Sequence, residues 1–241
     1  LRQLPDDAFL GEAEAALGHP IDIVSGVEEA RLVYLGAAHS LADDGARRLV
    51  VDIGGGSTEL IIGANKQARQ LDSLYMGCVA YTTRFFPDGV FSRDAWRRAE
   101  EAAQLELEPI VGEYHRRRWD EAIGTSGTIR AVLAVVQAQG GGEQGISRAA
   151  LAGLRQTVLK AGRLDALRLP GLTGDRKPVF AAGLAILMAV FELLDVDRMS
   201  VADGALREGV LHDLLGRIRD ADVRDASVRS LAERYHVDLA H

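Results

Sequence analysis

The run from Leu49 to Gly63, LVVDIGGGSTELIIG, constrains this chain more than any other stretch. An apolar strand ends in an acid, three glycines and a hydroxyl pair, and a second apolar strand begins at once. Such a turn suits a phosphate held together with a metal ion. Gly54, Gly55 and Gly56 let successive backbone N–H groups face one point without a Cβ clash, and Ser57 and Thr58 add hydroxyl donors. Asp52 and Glu59 bracket the turn as hard oxygen ligands of the kind that Mg²⁺ or Mn²⁺ prefers.

The two common phosphate loops do not fit. A Walker A loop requires a Gly-Lys-Ser/Thr ending, and Gly56 is followed by Ser57 with no lysine in the loop. A dinucleotide fingerprint requires a helix after its glycines, and Leu60-Ile61-Ile62 reads as a strand. What remains is a β-hairpin whose turn carries the donors, as in the actin, sugar-kinase and Hsp70 group of phosphotransfer folds; a ligand-free glycine hairpin is the competing reading.

Composition narrows the setting. With 241 residues, 47% of them hydrophobic, the chain can build one large or two small cores. The net charge of −7 argues against general nucleic-acid binding. A polyanionic ligand therefore needs a local basic lining or a metal. No apolar run reaches the length of a membrane span. Cys78 is the single cysteine, which excludes an intrachain disulfide and makes a cytoplasmic location the expectation.

Along the chain, the patterning predicts a helix from Phe9 to Leu17 and a strand from Ile21 to Val24. A second helix follows from Val27 to Ser40, with Leu32, Leu35 and His39 on its apolar stripe. His39 thus reads as a packed core residue. Strands at Leu49–Ile53, Leu60–Ile62 and Arg69–Tyr75 form a meander. Ser92 then caps a long helix with the stripe Trp96, Ala99, Ala103, Leu107, Ile110 and Tyr114, which Pro109 should kink. A strand at Glu121–Ile123 leads through Gly124-Thr125-Ser126-Gly127-Thr128 into a helix from Ile129 to Gln137. Pro178 to Leu194 is apolar nearly all round, as a buried helix requires. Met199–Val201 is a strand that feeds Asp203-Gly204 and a last helix. Arg116-Arg117-Arg118 reads first as a solvated face, with guidance of a polyanion as its functional alternative.

Five segments together resemble one family, the exopolyphosphatase and guanosine-pentaphosphate phosphatase (Ppx/GppA) family. They are SGVEEARL from Ser25, DIGGGSTEL from Asp52, MGCV from Met76, GTSGTIRA from Gly124 and DGALREGVL from Asp203. The resemblance covers essentially the whole chain and implies an actin-like (ribonuclease H-like) α/β fold of two lobes with a phosphate cleft between them. Residues 1–40 would end the first lobe, 41–218 would form the second, and 219–241 would open a helical C-terminal region. The family's first phosphate loop, Asp-hydrophobic-Gly-Ser-Asn-Ser, has no counterpart here, so the sequence is expected to lack most of the first lobe.

Residue by residue, the resemblance makes Glu29 the general base and Asp52 and Glu59 the metal acids. Gly54, Gly55, Gly56, Ser57 and Thr58 become the phosphate hairpin. Chemistry agrees with a carboxylate that activates water beside a metal that neutralises the transferred group. Glu28 and Glu29 project about 100° apart, so only one of them can face a cleft. Ser126, Gly127 and Thr128 open a helix whose N-terminus could receive a second phosphate, although Ser126 could equally be an N-cap. Asp203 is open between a cap and a cleft residue, and Arg207 and Glu208 between an intrahelical and an interlobe pair. The implied activity is removal of the terminal phosphate from inorganic polyphosphate, with Mg²⁺ or Mn²⁺ as cofactor. Hydrolysis of the 5′ terminal phosphate of guanosine pentaphosphate is the alternative enzyme reading. A module that binds polyphosphate or a nucleotide without turnover is the alternative from another class. A homodimer is left open.

Overall fold

A computed structural model describes residues 7–216. Among them, a six-stranded sheet runs in the order β3-β2-β1-β4-β6-β5. The hairpin supplies β1 (Arg47–Ile53), β2 (Thr58–Ala64) and β3 (Gln67–Leu74) as an antiparallel meander. β4 (Glu121–Gly124) and β6 (Arg198–Val201) continue the sheet parallel to β1, and β5 (Ile146–Ser147) closes it antiparallel to β6.

Strand alternation sorts the apolar residues into two layers. Leu49, Val51, Ile53, Leu60 and Ile62 point into the larger core. There they meet α3 (Cys78–Phe85), α4 (Arg93–Leu107), α5 (Ser126–Ala138), α6 (Arg148–Ala161) and α7 (Phe180–Leu193), which is apolar but for Glu192. Val50, Ile61 and Ile123 point the other way and meet Ala30, Val33, Tyr34 and Ala37 of α2 (Gly26–His39). Leu32 and Gly36 on that helix receive a last helix, α8, at 206–216. The crossing leaves no room for side chains: a Cβ on Gly36 would strike the Ala205 carbonyl, and one on Gly209 the Leu32 carbonyl. A Cβ on Gly204 would likewise strike the Gly36 carbonyl, so both glycines of the DGALREGVL segment serve this close approach.

Several expectations change. Ile21–Val24 forms no strand among the described residues, and Ile23 and Val24 are exposed. The first helix, α1, spans Asp7–Leu17 as expected. Pro109 does not kink α4 but ends it: the helix stops at Leu107 and a 3₁₀ turn, Glu108–Ile110, follows, because proline supplies no N–H to extend the ladder. α5 starts at Ser126 rather than Ile129. His39 is exposed at the end of α2. It stacks on His212 of α8, ring centroids 3.6 Å apart, and its Nδ1 pairs with the Leu35 carbonyl. α2 packs on the sheet face that carries Val50, Ile61 and Ile123. The expected region 219–241 lies outside the described residues.

Candidate active site

Four residues from four strand or turn positions line up across the sheet. Asp52 and Glu59 are direct partners in the β1–β2 register, and Glu59 is the direct partner of Ser73 on β3. Thr125, just past β4, completes the row by donating its hydroxyl to Asp52 Oδ2 at 2.5 Å. At the other end Ser73 Oγ donates to Glu59 Oε1 at 2.9 Å. All of this sits on the face covered by α2. Burial raises the Asp52 carboxyl above its usual range despite the Thr125 bond, and the charge of Glu29 adds to the effect. Glu59, only 1% exposed, is pushed up to about 7, first by burial and further by Glu29 and Asp52, against hydrogen bonds from Ser57 and Ser73.

Glu29 reaches this row because of how α2 begins. Ser25 caps the helix, its Oγ accepting the Glu28 N–H at 3.2 Å, and the acids Glu28 and Glu29 fall in the first turn where the helix dipole favours them. Glu28 turns aside to Arg31, with Nη2–Oε1 at 2.7 Å, and Arg31 continues to Asp213 of α8. Glu29 instead lines a cavity of about 810 Å³. The opposite wall is the glycine turn, Gly54, Gly55, Gly56 and Ser57, with Asp72, Ser73, Tyr75 and Ala80 completing it. The structure thus brings Glu29, the glycine turn and Ser57 to one cavity, with Asp52 and Glu59 one layer beneath.

The turn is held from behind by the MGCV segment. The backbone N–H groups of Cys78 and Val79, at the start of α3, donate to the carbonyls of Gly54 and Gly55, both at 2.9 Å. Gly77 makes this approach possible, since a Cβ there would collide with the Gly55 carbonyl and the Gly56 nitrogen. The three turn glycines themselves have ordinary negative or extended φ. Left-handed backbone is therefore not why they are glycine. Around Gly56 there is nothing within 4 Å of an added Cβ, so its missing side chain leaves ligand space.

Two sets of expected phosphate ligands have side chains placed away from the cavity lining. Thr58 starts β2, and alternation sends it to the face opposite Glu59; its hydroxyl donates to the Met76 carbonyl at 2.5 Å, leaving it no part in the cavity. Ser126, Gly127 and Thr128 do not line the cavity but lie one strand over. Thr125, not Ser126, is the N-cap residue of α5, though its hydroxyl is spent on Asp52. Ser126 has φ 70° and a buried Oγ without a hydrogen-bond partner, Gly127 is covered by the Arg176 guanidinium, and Thr128 is buried. Asp203 is exposed, and its carbonyl accepts from Arg130; Glu208 caps α8 by accepting the Ala205 N–H at 2.9 Å.

The Glu59 proton carries a stability prediction for metal-free protein. Its folded value lies above the usual carboxylate value of 4.5, so the folded state holds a proton that the unfolded chain releases. The contribution is fully present below pH 4.5 and is lost as pH rises through about 7. By the shift alone it amounts to roughly 3 kcal/mol. Thermal unfolding of metal-free protein should show Tm falling between pH 5.5 and 8, with a flatter slope in Glu59→Gln. Parallel slopes for the two proteins would contradict the assignment.

Residues 2–218 match the Ppx/GppA phosphatase family. The chain belongs to that family. It is 43% identical over 235 residues to the guanosine-5′-triphosphate,3′-diphosphate pyrophosphatase of Aeromonas hydrophila, covering 98% of this chain and 47% of that protein. The protein of the same name from Vibrio vulnificus is 44% identical over 232 residues, 96% of this chain and 46% of that one. The chain thus spans about half the length of the curated relatives it matches. A crystal structure of the Aquifex aeolicus Ppx/GppA phosphatase superposes with a TM-score of 0.66 at 26% identity, covering 85% of this chain and 69% of that one. An exopolyphosphatase from Cytophaga hutchinsonii, at 22% identity and TM-score 0.74 over 88% of this chain and 70% of that one, shows the same fold. The mixed six-stranded sheet and its helical layers are those of an actin-like domain. No helix among the described residues is long and apolar enough to cross a membrane.

Proposed function

We propose that the full-length protein hydrolyses the terminal 5′ phosphate of guanosine 5′-triphosphate 3′-diphosphate, with Glu29 as general base. The observation that carries this reading is the placement of Glu29 across one cavity from Gly54–Ser57. The N–H groups of Gly55, Gly56 and Ser57, together with the Ser57 hydroxyl, would hold the terminal phosphate, the Gly54 N–H being spent on the Ser57 carbonyl. A water between that phosphate and Glu29 would give up its proton to the carboxylate as its oxygen bonds to phosphorus. The anhydride bond then breaks, releasing inorganic phosphate and guanosine 5′-diphosphate 3′-diphosphate. Of the two substrates that the sequence motifs serve, the named relatives from Aeromonas and Vibrio favour the guanine nucleotide over inorganic polyphosphate.

Asp52 and Glu59 fit a divalent cation, Mg²⁺ or Mn²⁺. They are two facing carboxylates whose charged forms are disfavoured by burial and by the charge of Glu29, with Asp52 adding to the effect on Glu59, and a cation would reverse these effects. No cage of three or more such side chains forms among the described residues, so a cation here would draw on these two acids, water and substrate oxygens, which is how Mg²⁺ is usually bound. When bound, it would neutralise charge building on the transferred phosphate.

The test is steady-state phosphate release by the full-length protein from guanosine pentaphosphate, long-chain polyphosphate and ATP. We expect kcat/KM to be highest for guanosine pentaphosphate and turnover to cease in excess chelator. A higher value for polyphosphate would overturn the substrate, binding of all three without release would overturn catalysis, and unchanged turnover in chelator would overturn the cation.

A further inference from the structure

At the far end of the sheet from the glycine turn lies a second cavity, of about 290 Å³, into which three chain segments bring arginines. Arg47 comes from the start of β1, Arg69 from the start of β3, and Arg117 and Arg118 from the 3₁₀ turn Arg116–Arg118. β1 separates this place from the active-site cavity: Arg47 and Ile53 are its two ends, six strand steps or roughly 20 Å apart.

The charges here are poorly balanced. Arg47 is matched by Asp120, with Nη2–Oδ1 at 2.7 Å, and also donates to the Arg117 carbonyl at 3.0 Å. Among the described residues, none of the three other guanidinium groups forms an ion pair. The one carboxylate in the lining, Glu113, accepts from Gln70 at 2.8 Å. In a chain of net charge −7, such a concentration of arginine in one concavity is against the average. The cationic run 116–118 is divided by the fold: Arg116 lies over the Trp119 ring at 4.2 Å, while its two neighbours turn toward Arg47 and Arg69.

We infer that this cavity is an anion site for a short oligophosphate, separate from the active site. Planar guanidinium forks match phosphate oxygens two at a time, and arginines converging from separate elements can do so on adjacent phosphates. The small volume suits two or three phosphates, and the local field favours their entry over that of singly charged anions. The inference is independent of the proposed hydrolysis.

The experiment is calorimetric titration of the full-length protein with inorganic tripolyphosphate, without divalent cation, at low and high KCl. Two binding events are expected in the parent protein. Arg69→Ser combined with Arg118→Ser should weaken one of them at least tenfold, and higher salt should weaken it in the parent. Arg69→Lys with Arg118→Lys keeps the charge but loses the forks, and should fall between the two; it also guards against a folding defect, which thermal melts of both variants would reveal. An unchanged isotherm in the folded serine variant would overturn the site. So would displacement of tripolyphosphate from neither event by pyrophosphate but capture of a polyglutamate peptide instead, which would assign the patch to an acidic protein segment.

Discussion

Glu29→Gln in the full-length protein should lower phosphate release by about 10²–10⁴-fold while leaving nucleotide binding close to the parent value. That range is what a positioned general base contributes, and glutamine keeps the size of the side chain while removing its basicity. The neighbouring acid is the control. Glu28 is directed to Arg31, in a pair whose side chains are 36% and 39% exposed, and lines no part of the cavity. Its loss should reduce stability by less than about 1 kcal/mol and leave turnover near normal. Single-turnover rates and binding isotherms for both variants decide the matter: a dead Glu28→Gln beside an active Glu29→Gln would reverse the assignment, and the mechanism with it. Because the charge of Glu29 also raises Asp52 and Glu59, the glutamine variant should in addition shift their titration downward, a change that Glu28→Gln should not produce.

The elements that follow from local pattern were legible in the sequence. Alternation gave the meander, and helical periodicity with Ser92 as a cap gave α4. The apolar run gave α7. The acid pair of the hairpin was legible too, because one short motif holds Asp52 and Glu59. What escaped depends on register between distant segments. Thr125 and Ser73 complete the carboxylate row only because β4 and β3 flank the hairpin at particular offsets, and nothing local to either residue announces this. Thr58 is the instructive case, since its orientation could have been found: once β2 begins at Thr58, alternation places it with Leu60 and Ile62 and leaves Glu59 with Ile61. The Thr58 hydroxyl and the Glu59 carboxylate therefore point to opposite faces of the sheet. His39 shows the converse limit. Its spacing matched the apolar stripe of α2, but spacing does not tell that the last turn is open to solvent and meets His212 of α8.

Gly77→Val should damage the protein far more than any single change in the glycine turn, although Gly77 touches no part of the cavity. The reason is the closeness of two backbones. The start of α3 donates to the carbonyls of Gly54 and Gly55, and those bonds require Gly77 to lie against the Gly55–Gly56 peptide. A Cβ at that position meets backbone rather than a flexible side-chain end, so the turn must move, the hydrogen bonds from Cys78 and Val79 must lengthen, and the cavity wall made by Gly54–Ser57 is displaced as a unit. A cost of about 2–4 kcal/mol is expected, from overpacking combined with broken buried hydrogen bonds. Gly56→Ala should behave in the opposite way. Its backbone needs no positive φ and an added methyl meets no protein atom, so the fold should keep its Tm within a degree or two. The methyl would instead stand in ligand space and weaken phosphate binding. Thermal melts alongside phosphate-binding titrations separate the two effects: Gly77→Val should lose both stability and binding, Gly56→Ala binding alone. A Gly77→Val protein with parent stability and parent affinity would show that α3 does not hold the turn, and the cavity wall opposite Glu29 would then have to be set by the hairpin unaided.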